Sequence, residues 1–429
     1  MATKFLFVSY EGLIADIAWQ VAKEGHETRL WIQNPEERTI ADGFVPKTSE
    51  WKREVDWADV VVFDDVLGMG PLAEELRAAG KPVVGGATYT DRLEDDRAFG
   101  QQELKNVGVP IIPHENFTSF DAAVAYVQEN PNRYVIKPSG EAQNIKRLLF
   151  VGEEDDGRDV IQVLQDYKRA WSGKVKEFQL QKRIVGVEVA VGAFFNGKEF
   201  VTPICINFEH KKLFPGDIGP PTGEMGTSMF WSEPNRLFNA TLKKMEAKLA
   251  EARYTGYIDI NCIVNNNGIY PLEFTSRFGY PCVSIQQEGM LTPVGDLLRE
   301  LAAGTITRLR ARSGFQIGVR IVVPPFPYND PETLENTSKD SVILFKTPSR
   351  EGVHIEDVRT ADGEWLVTGT SGVVLIVCGS GPTMKQAQRQ AYNRVRNIMI
   401  PHMYYRDDIG ERWYEDSDRL HAWGYLREV

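Results

Sequence analysis

The sequence predicts a multidomain chain of mixed α/β and α+β class: a doubly wound parallel sheet first, an α+β unit in the middle, and a small C-terminal α/β cap. Three observations carry this prediction. Short apolar runs alternate with single amphipathic helices through the first ninety residues. Longer runs rich in β-branched and aromatic residues follow, joined by turn signals. A third pattern starts near Gly314, with two strands, a proline-rich break and one helix. At 429 residues there is room for roughly two to four domains. The expected divisions are 1–90, 91–313 and 314–429, with a small lid at about 134–186 inside the second.

Phe5–Val8 reads as a buried strand, and Ile14, Ala18, Val21 and Ala22 then recur at helical spacing until Gly25. Thr28–Ile32 and Val60–Phe63 are further strands. Pro71 opens a helix at its first turn, Gly80 closes it, and Pro82–Val84 returns as strand. Strand–helix–strand repetition of this kind builds parallel sheets. In the middle, Tyr134–Lys137, Val187–Phe195, Phe200–Ile206, Tyr257–Val264 and Ile269–Phe274 are strand-like, and Leu242, Met245 and Leu249 mark a helix. Asn265-Asn-Asn-Gly268 predicts a hairpin turn. Beyond Gly314, Ile317–Val323 and Val373–Val377 are strands, with Pro324, Pro325 and Pro327 after the first. Met384, Ala387, Ala391, Val395 and Ile398 form a helical stripe.

Composition narrows the function. Hydrophobic residues at 42% and charged residues at 25% exclude a disordered or collagen-like chain. A net charge of −11 speaks against nucleic acid or an anionic membrane as partner. The longest aliphatic run, Val373–Cys378, is far shorter than the roughly 20 residues that span a bilayer. Cys205, Cys262, Cys282 and Cys378 are widely spaced and read as reduced core thiols, so a soluble cytoplasmic protein is expected, as monomer or homodimer. The six histidines have no metal-ligand spacing.

Acidic groups carry the candidate chemistry. If Asn265–Gly268 closes a hairpin, Asp259 and Glu273 stand on adjacent strands. Alternation puts Asn261 on the face of Asp259, and Thr275 and Arg277 on the face of Glu273. Opposed carboxylates repel, and a cation between them relieves this; oxygen ligands alone suit Mg²⁺. The alternative is a solvated pair with Arg277 as counter-ion. Lys137 ends a buried strand before Pro138-Ser-Gly140, where it can reach phosphate or simply water. Gln179–Glu188 links two strands and offers backbone groups to an adenine edge, with Glu188 toward ribose hydroxyls. The stretch Phe214–Gly226 holds four glycines and three prolines, suited to an anion-binding loop or an ordinary surface loop.

In order, these segments resemble the ATP-grasp ligases, most closely the phosphoribosylamine–glycine ligase family. Asp96–Pro110 is similar to the start of that family's ATP-grasp domain, and Val135-Ile-Lys-Pro-Ser-Gly140 to its nucleotide-lysine strand. Gly219-Pro-Pro-Thr-Gly-Glu-Met-Gly226 resembles its Gly-Pro-Asn-Thr-Gly-Gly-Met-Gly loop. Leu272-Glu-Phe-Thr-Ser-Arg-Phe-Gly279 resembles its Glu-Phe-Asn-Cys-Arg-Phe-Gly metal strand, and Tyr404–Gly410 its ending. The chain departs from the family at the first turn, where Val8-Ser-Tyr-Glu-Gly-Leu-Ile14 replaces Gly-Gly-Arg-Glu-His. Glu141–Lys146 lacks the glycines of the phosphate-covering loop, and Gln101 stands where the family has a lysine, with Arg97 nearby. Tyr280-Pro-Cys282 replaces Asp-Pro-Glu, and Thr275 replaces asparagine.

The resemblance implies a central ATP-grasp domain and an ADP-forming carboxylate–amine ligase acting through an acyl phosphate. ATP and Mg²⁺ or Mn²⁺ are the implied cofactors. Asp259, Glu273, Thr275 and Asn261 would hold the metal; Lys137, Gln181, Lys182, Ile184 and Glu188 would bind nucleotide. Arg277 would stabilise the transferring phosphoryl group, and the loop with Gly219, Thr222, Gly223 and Gly226 would enclose the intermediate. The departures point to a changed pair of small-molecule amine and carboxylate substrates. Two alternatives stand beside it: a genuine phosphoribosylamine–glycine ligase, and a non-catalytic nucleotide-binding module.

Overall fold

In the computed structural model, which describes residues 2–66, 68–139 and 148–427, the first unit is a four-stranded parallel sheet. Its strands are β1 (Lys4–Ser9), β2 (Glu27–Ile32), β3 (Val60–Phe63) and β4 (Val83–Val84), in the order β2-β1-β3-β4. Phe5 and Phe7 point into one apolar cluster, and Leu6 and Val8 into another on the opposite face. A parallel sheet covered on both sides needs this unbroken apolar run.

The lid is a four-stranded antiparallel sheet of β5 (His114–Phe117), β6 (Tyr134–Pro138), β7 (Phe150–Val151) and β8 (Phe178–Lys182), in the order β5-β8-β6-β7. Period-two alternation sorts its residues. Tyr134, Ile136, Phe178 and Leu180 pack with Val160 and Leu164 of the helix Arg158–Trp171, while Lys137 lies directly across from Gln179 on the other face.

The main body is an eight-stranded sheet. It contains β9 (Val187–Asn196), β10 (Ile204–Glu209), β13 (Gly226–Ser232), β14 (Thr255–Asn265), β15 (Gly268–Thr275) and β16 (Phe315–Val322), with the short hairpin β11 (Lys212–Phe214) and β12 (Ile218–Pro221) beside it. C-terminal strands follow: β17 (Leu344–Phe345), β18 (Val353–Ile355), β19 (Val358–Ala361), β20 (Glu364–Val367), β21 (Val373–Gly381) and β22 (Ile398–Met399). The sheet order is β15-β14-β9-β10-β13-β16-β21-β18. The segment after Gly314 therefore caps the molecule by extending the central sheet across the β13–β16 ladder.

One face of this sheet is apolar: Val189, Val191, Ile206, Phe208, Ile258 and Ile260 pack on Leu242, Met245 and Leu249. On the other face Phe194, Cys205, Met229 and Tyr257 pack in a second apolar core, while Glu188, Glu209 and Asn261 gather at the end nearer the lid. The strand expected over Phe200–Ile206 instead covers Ile204–Glu209. Pro203 has no N–H to give a ladder, so pairing begins after it and carries Glu209 to the cleft end. The hairpin at Asn265–Gly268 forms as expected.

Candidate functional site: an acidic cleft between lid and sheet

Strand register decides which side chains meet. Asn261 pairs directly with Glu273, and Asp259 with Thr275, so all four lie on the cleft face. This corrects the expected opposition of Asp259 and Glu273: the two carboxylates are diagonal, each facing a neutral residue. Glu188 on β9 and Glu209 at the end of β10 join them, and Asn261 Nδ2 donates to Glu188 Oε1 at 3.0 Å and to Glu209 Oε2 at 3.5 Å.

Lys211 is the hub of this cluster, and sequence reasoning missed it. Its Nζ lies 2.8 Å from Glu188, 3.2 Å from Glu209 and 3.7 Å from Glu273. Burial opposes its charge, but the three carboxylates outweigh this and hold its pKa well above the ordinary lysine value. In return Lys211, more than burial, sets the pKa of Glu273 below its usual range, with help from Lys137 and Arg97. Asp259 has no such relief: burial, then Glu209 and Cys205, push it well above the usual carboxylate range despite Arg277.

From the lid, Lys137 is 9% exposed and faces this cluster. Burial and the like charges of Arg97 and Lys211 lower its pKa to about 8, against the pull of Glu273 and Glu188. Gln181 is buried with Nε2 lacking a hydrogen-bond partner, and Gln179 Nε2 donates to Gln101 at 3.1 Å. Lys182 is exposed and Ile184 half-buried, both where the lid joins β9. The expected phosphate-covering segment Glu141–Lys146, with Gly140, lies outside the described residues.

Arg277 stands just beyond β15 rather than on its cleft face. It pairs with Glu94 at 3.0 Å and donates to the Phe278 carbonyl at 2.9 Å, while Glu94 also accepts from Ser276 N at 2.8 Å.

The glycine-rich loop packs directly over Lys211. Thr222 N and Oγ1 donate to the Lys211 carbonyl at 2.8 and 2.9 Å, and Met225 N to His210 O at 2.8 Å. Gly226 is required by contact: a Cβ there would lie 2.5 Å from the Gly318 carbonyl. Gly219 is required by conformation, at φ +85°. Gly223 lies between Thr222 and Glu224 in the same crossing. Fully buried Arg406, from the Tyr404–Gly410 segment, clamps the loop through Lys212 O and Asp217 at 2.9 Å each. Arg412 donates to the carbonyls of Glu188 and Glu209 at 2.9 and 2.8 Å. Two motifs nearly two hundred residues apart thus build one wall.

At the carboxyl end of β1, Ser9 Oγ donates to Asp64 and accepts from Gly12 N at 2.7 Å. Burial raises Asp64 to about 7, and burial, Asp91 and Asp64 raise the adjoining Asp65 well above the usual carboxylate range; Glu11 is also raised by burial.

The donor set suits a hard divalent cation. Asn261 is 4% exposed with Oδ1 unpartnered, beside the carboxylates of Glu273, Glu188 and Glu209. Among the described residues no three acidic, histidine or cysteine side chains are already gathered at ligand distance. Neutral Asn261 and Thr275 account for part of the set, and the Lys211 ammonium stands among the acids.

Known proteins agree with this architecture. The model for the ATP-grasp (A) domain of phosphoribosylglycinamide synthetase matches residues 95–283, and that for its C domain residues 330–412, together more than half of the chain. A phosphoribosylamine–glycine ligase of Rhizobium meliloti (strain 1021) is 26% identical over 428 residues, covering 95% of this chain and 98% of its own. That of Neisseria meningitidis serogroup B is 25% identical over 366 residues, covering 82% and 84%. Among solved structures, phosphoribosylamine–glycine ligase from Thermotoga maritima superposes with a TM-score of 0.69 at 21% identity, over 95% of this chain and 100% of that one. The biotin carboxylase domain of Hydrogenobacter thermophilus 2-oxoglutarate carboxylase, solved with MgADP, gives 0.64 at 14% identity over 98% of both. Fold and relatives define an ATP-grasp ligase, an enzyme class that joins carbon to nitrogen using ATP. Within that class, the chain belongs to the phosphoribosylglycinamide synthetase family.

Proposed function

We propose that the protein ligates a carboxylate to an amine through an acyl phosphate, and that phosphoribosylamine and glycine are the first pair to test. The carrying observation is the Lys137–Lys211–Glu273 cleft beneath a loop clamped by Arg406. Relatives bearing the phosphoribosylamine–glycine ligase name, one of them matched over 95% of this chain and 98% of its own, support the substrate pair.

In this reaction a carboxylate oxygen attacks the γ-phosphorus of ATP as the bond to ADP breaks. The amine nitrogen then attacks the acyl carbon, the carbon–oxygen bond to phosphate breaks, and nitrogen gives up a proton. A bound Mg²⁺ would neutralise phosphate charge during transfer. Glu273 and Asn261 would hold it, with Thr275 and Asp259 on the same face. Lys137 contributes a point charge to phosphate, and Gln181, Lys182 and Ile184 line the link where adenine would sit. Glu188 orients Lys211 and faces the ribose side. Arg277, anchored by Glu94, would stabilise charge on the transferring phosphoryl group. The loop Gly219–Gly226 excludes water that would hydrolyse the intermediate.

A second reading, a changed acceptor, has one observation in its favour: at the first turn Ser9 is bonded to the buried carboxyl of Asp64, with Asp65 next to it, a poor seat for a sugar phosphate. ADP release from MgATP with pooled amino acids, with and without phosphoribosylamine, separates the readings. Strict dependence on phosphoribosylamine supports the first, and dependence on another amine the second. Tight nucleotide binding with no release under any pool leaves a binding module.

A further inference from the structure

The first unit holds a crevice that phosphoryl transfer in the main cleft does not use. Its sheet order, β2-β1-β3-β4, takes the chain from β1 to one side and returns it on the other. The carboxyl ends of β1 and β3 therefore flank a switch point, where such sheets usually seat a ligand. A phosphate there would need free backbone N–H groups. Three that border the crevice are already taken: Gly12 N donates to Ser9 Oγ at 2.7 Å, Val66 N to Asp64 Oδ1 at 3.3 Å, and Gly70 N, opening the helix Gly70–Ala78, to Asp91 Oδ2 at 3.0 Å.

What the crevice offers instead is carboxylate. Asp65, two residues beyond β3, is 8% exposed, and neither of its carboxyl oxygens has a hydrogen-bond partner. Asp91, from the helix Thr88–Asp95, is half-buried. The two meet over Gly86, just past β4: a Cβ there would lie 1.6 Å from Asp65 Oδ2 and 2.9 Å from Asp91 Oδ1. Carboxylates crowded onto one point repel unless a positive charge or a proton lies between them. Burial, then Asp91 and Asp64, accordingly hold the Asp65 pKa well above the usual range, and burial raises Asp91 to about 6. Arg77 is the nearby guanidinium, but its Nη2 donates to the Gly85 carbonyl, and its Nε and Nη1 meet no acceptor.

The crevice also lies close to the reacting groups. Asp91 and Glu94 stand about one turn apart on the same helix, and Glu94 is the carboxylate that pairs with Arg277 at 3.0 Å.

We propose that this crevice receives the amine substrate, and that the amine is a cation without phosphate: a primary amine carrying a second ammonium, of the diamine class. An amine that attacks must be neutral, so the charge held by the acids is a second one. One nitrogen stays charged between Asp65 and Asp91. The other attacks the acyl carbon, the carbon–oxygen bond to phosphate breaks, and the proton shed by nitrogen leaves with the phosphate. The proposal rests on the ligase reading above and takes the changed acceptor of the two.

The probe is 1,4-diaminobutane, with ribose 5-phosphate as its anionic counterpart. Titration calorimetry without nucleotide is expected to show binding of the diamine and none of the sugar phosphate. Asp65→Asn suits the test because asparagine tolerates the φ of +57° found there, and Asp91→Asn keeps an oxygen for Gly70 N. Each variant is expected to bind the diamine at least tenfold more weakly while the rise in thermal midpoint given by MgATP is unchanged. With MgATP and pooled amino acids, the diamine should support ADP release, with a KM at least tenfold below that of 1-butylamine and at least tenfold higher in both variants. Diamine binding that is absent, or equally strong in the variants, overturns the proposal and leaves the ligase reading intact. Strict dependence of ADP release on phosphoribosylamine does the same. Loss of diamine binding in millimolar Mg²⁺ or Ca²⁺ also overturns it, making the acid pair a metal site. Diamine binding without ADP release under any pool removes the ligase reading, and the acceptor role with it.

Discussion

At the scale of single residues, the cleft is governed by a balance of charge around Lys211. Three carboxylates within 3.7 Å of one ammonium would repel one another without it, and Lys211, a third exposed, balances their charge. Glu273 is the member that reaches open space, with 58% of its side chain exposed, while close enough to Lys137 to couple lid and sheet. Glu273→Gln is expected to lower ADP formation by at least a hundredfold without changing the far-ultraviolet circular dichroism, since the amide keeps the shape and removes the charge. A steady-state rate within threefold of the unaltered protein would count against any metal role for this strand. Period-two alternation was enough to place Asn261, Thr275 and Glu273 on the cleft face. It was not enough to find Lys211, which lies outside the named strands until β11 begins one residue later. Its contacts run across three strands, whereas sequence pattern reports only along one. The available clue was the charged run Glu209-His-Lys-Lys212 closing a buried strand just before the glycine-rich loop.

Among elements, the first unit is fastened to the rest by buried polar contacts as well as by apolar packing. Asp16, in the helix Ala15–Lys23, accepts from Ile355 N at 3.1 Å and meets His354 Nδ1 of β18 at 2.7 Å. Glu24 caps the helix Val294–Ala303, accepting from Val294 N and Gly295 N at 2.8 and 2.7 Å. Burial works against the His354 charge, but Asp16 prevails and holds that pKa well above the ordinary histidine value; Asp16 is correspondingly lowered. A raised histidine contributes stability fully below its unfolded value near 6.5, and the contribution is lost as pH climbs through the raised folded value. Asp16 adds stability above its own unfolded value and loses it in acid. Unfolding by urea should therefore give a midpoint that declines on the alkaline side of neutrality. Asp16→Asn should cost about 3–5 kcal/mol at pH 6, as for other broken buried pairs, and flatten that decline. Midpoints for the two proteins that coincide from pH 6 to 9 would refute the coupling. None of this was legible beforehand, because Asp16 sits inside an otherwise ordinary amphipathic pattern and its partner is 338 residues away. Strand and helix types, by contrast, followed from local periodicity. The misplaced start of β10 came from reading Phe200 and Val201 as ladder residues ahead of Pro203.

For the whole molecule, a cleft between lid and main sheet implies that nucleotide binds the folded form alone. At a concentration a hundred times its dissociation constant, a ligand of that kind adds about 2.7 kcal/mol of stability. MgATP should raise the thermal midpoint by a few degrees in scanning calorimetry, and chelation of the metal with excess EDTA should remove most of the rise. No shift at millimolar MgATP would mean that the cleft does not take nucleotide.

The ladder between β13 and β16 has a consequence for how this protein can be cut or recombined. A chain ending before Phe315 would expose the β13 backbone from Gly226 to Phe230, all five positions of which are hydrogen-bonded neighbours of β16 in the intact sheet. A sheet border with unpaired backbone groups of this kind invites edge-to-edge association. It would also strip away Arg406, leaving the glycine-rich loop without its clamp. The C-terminal segment is thus no interchangeable module: swapping it for a relative's would require grafting a matching seam of five residue pairs as well.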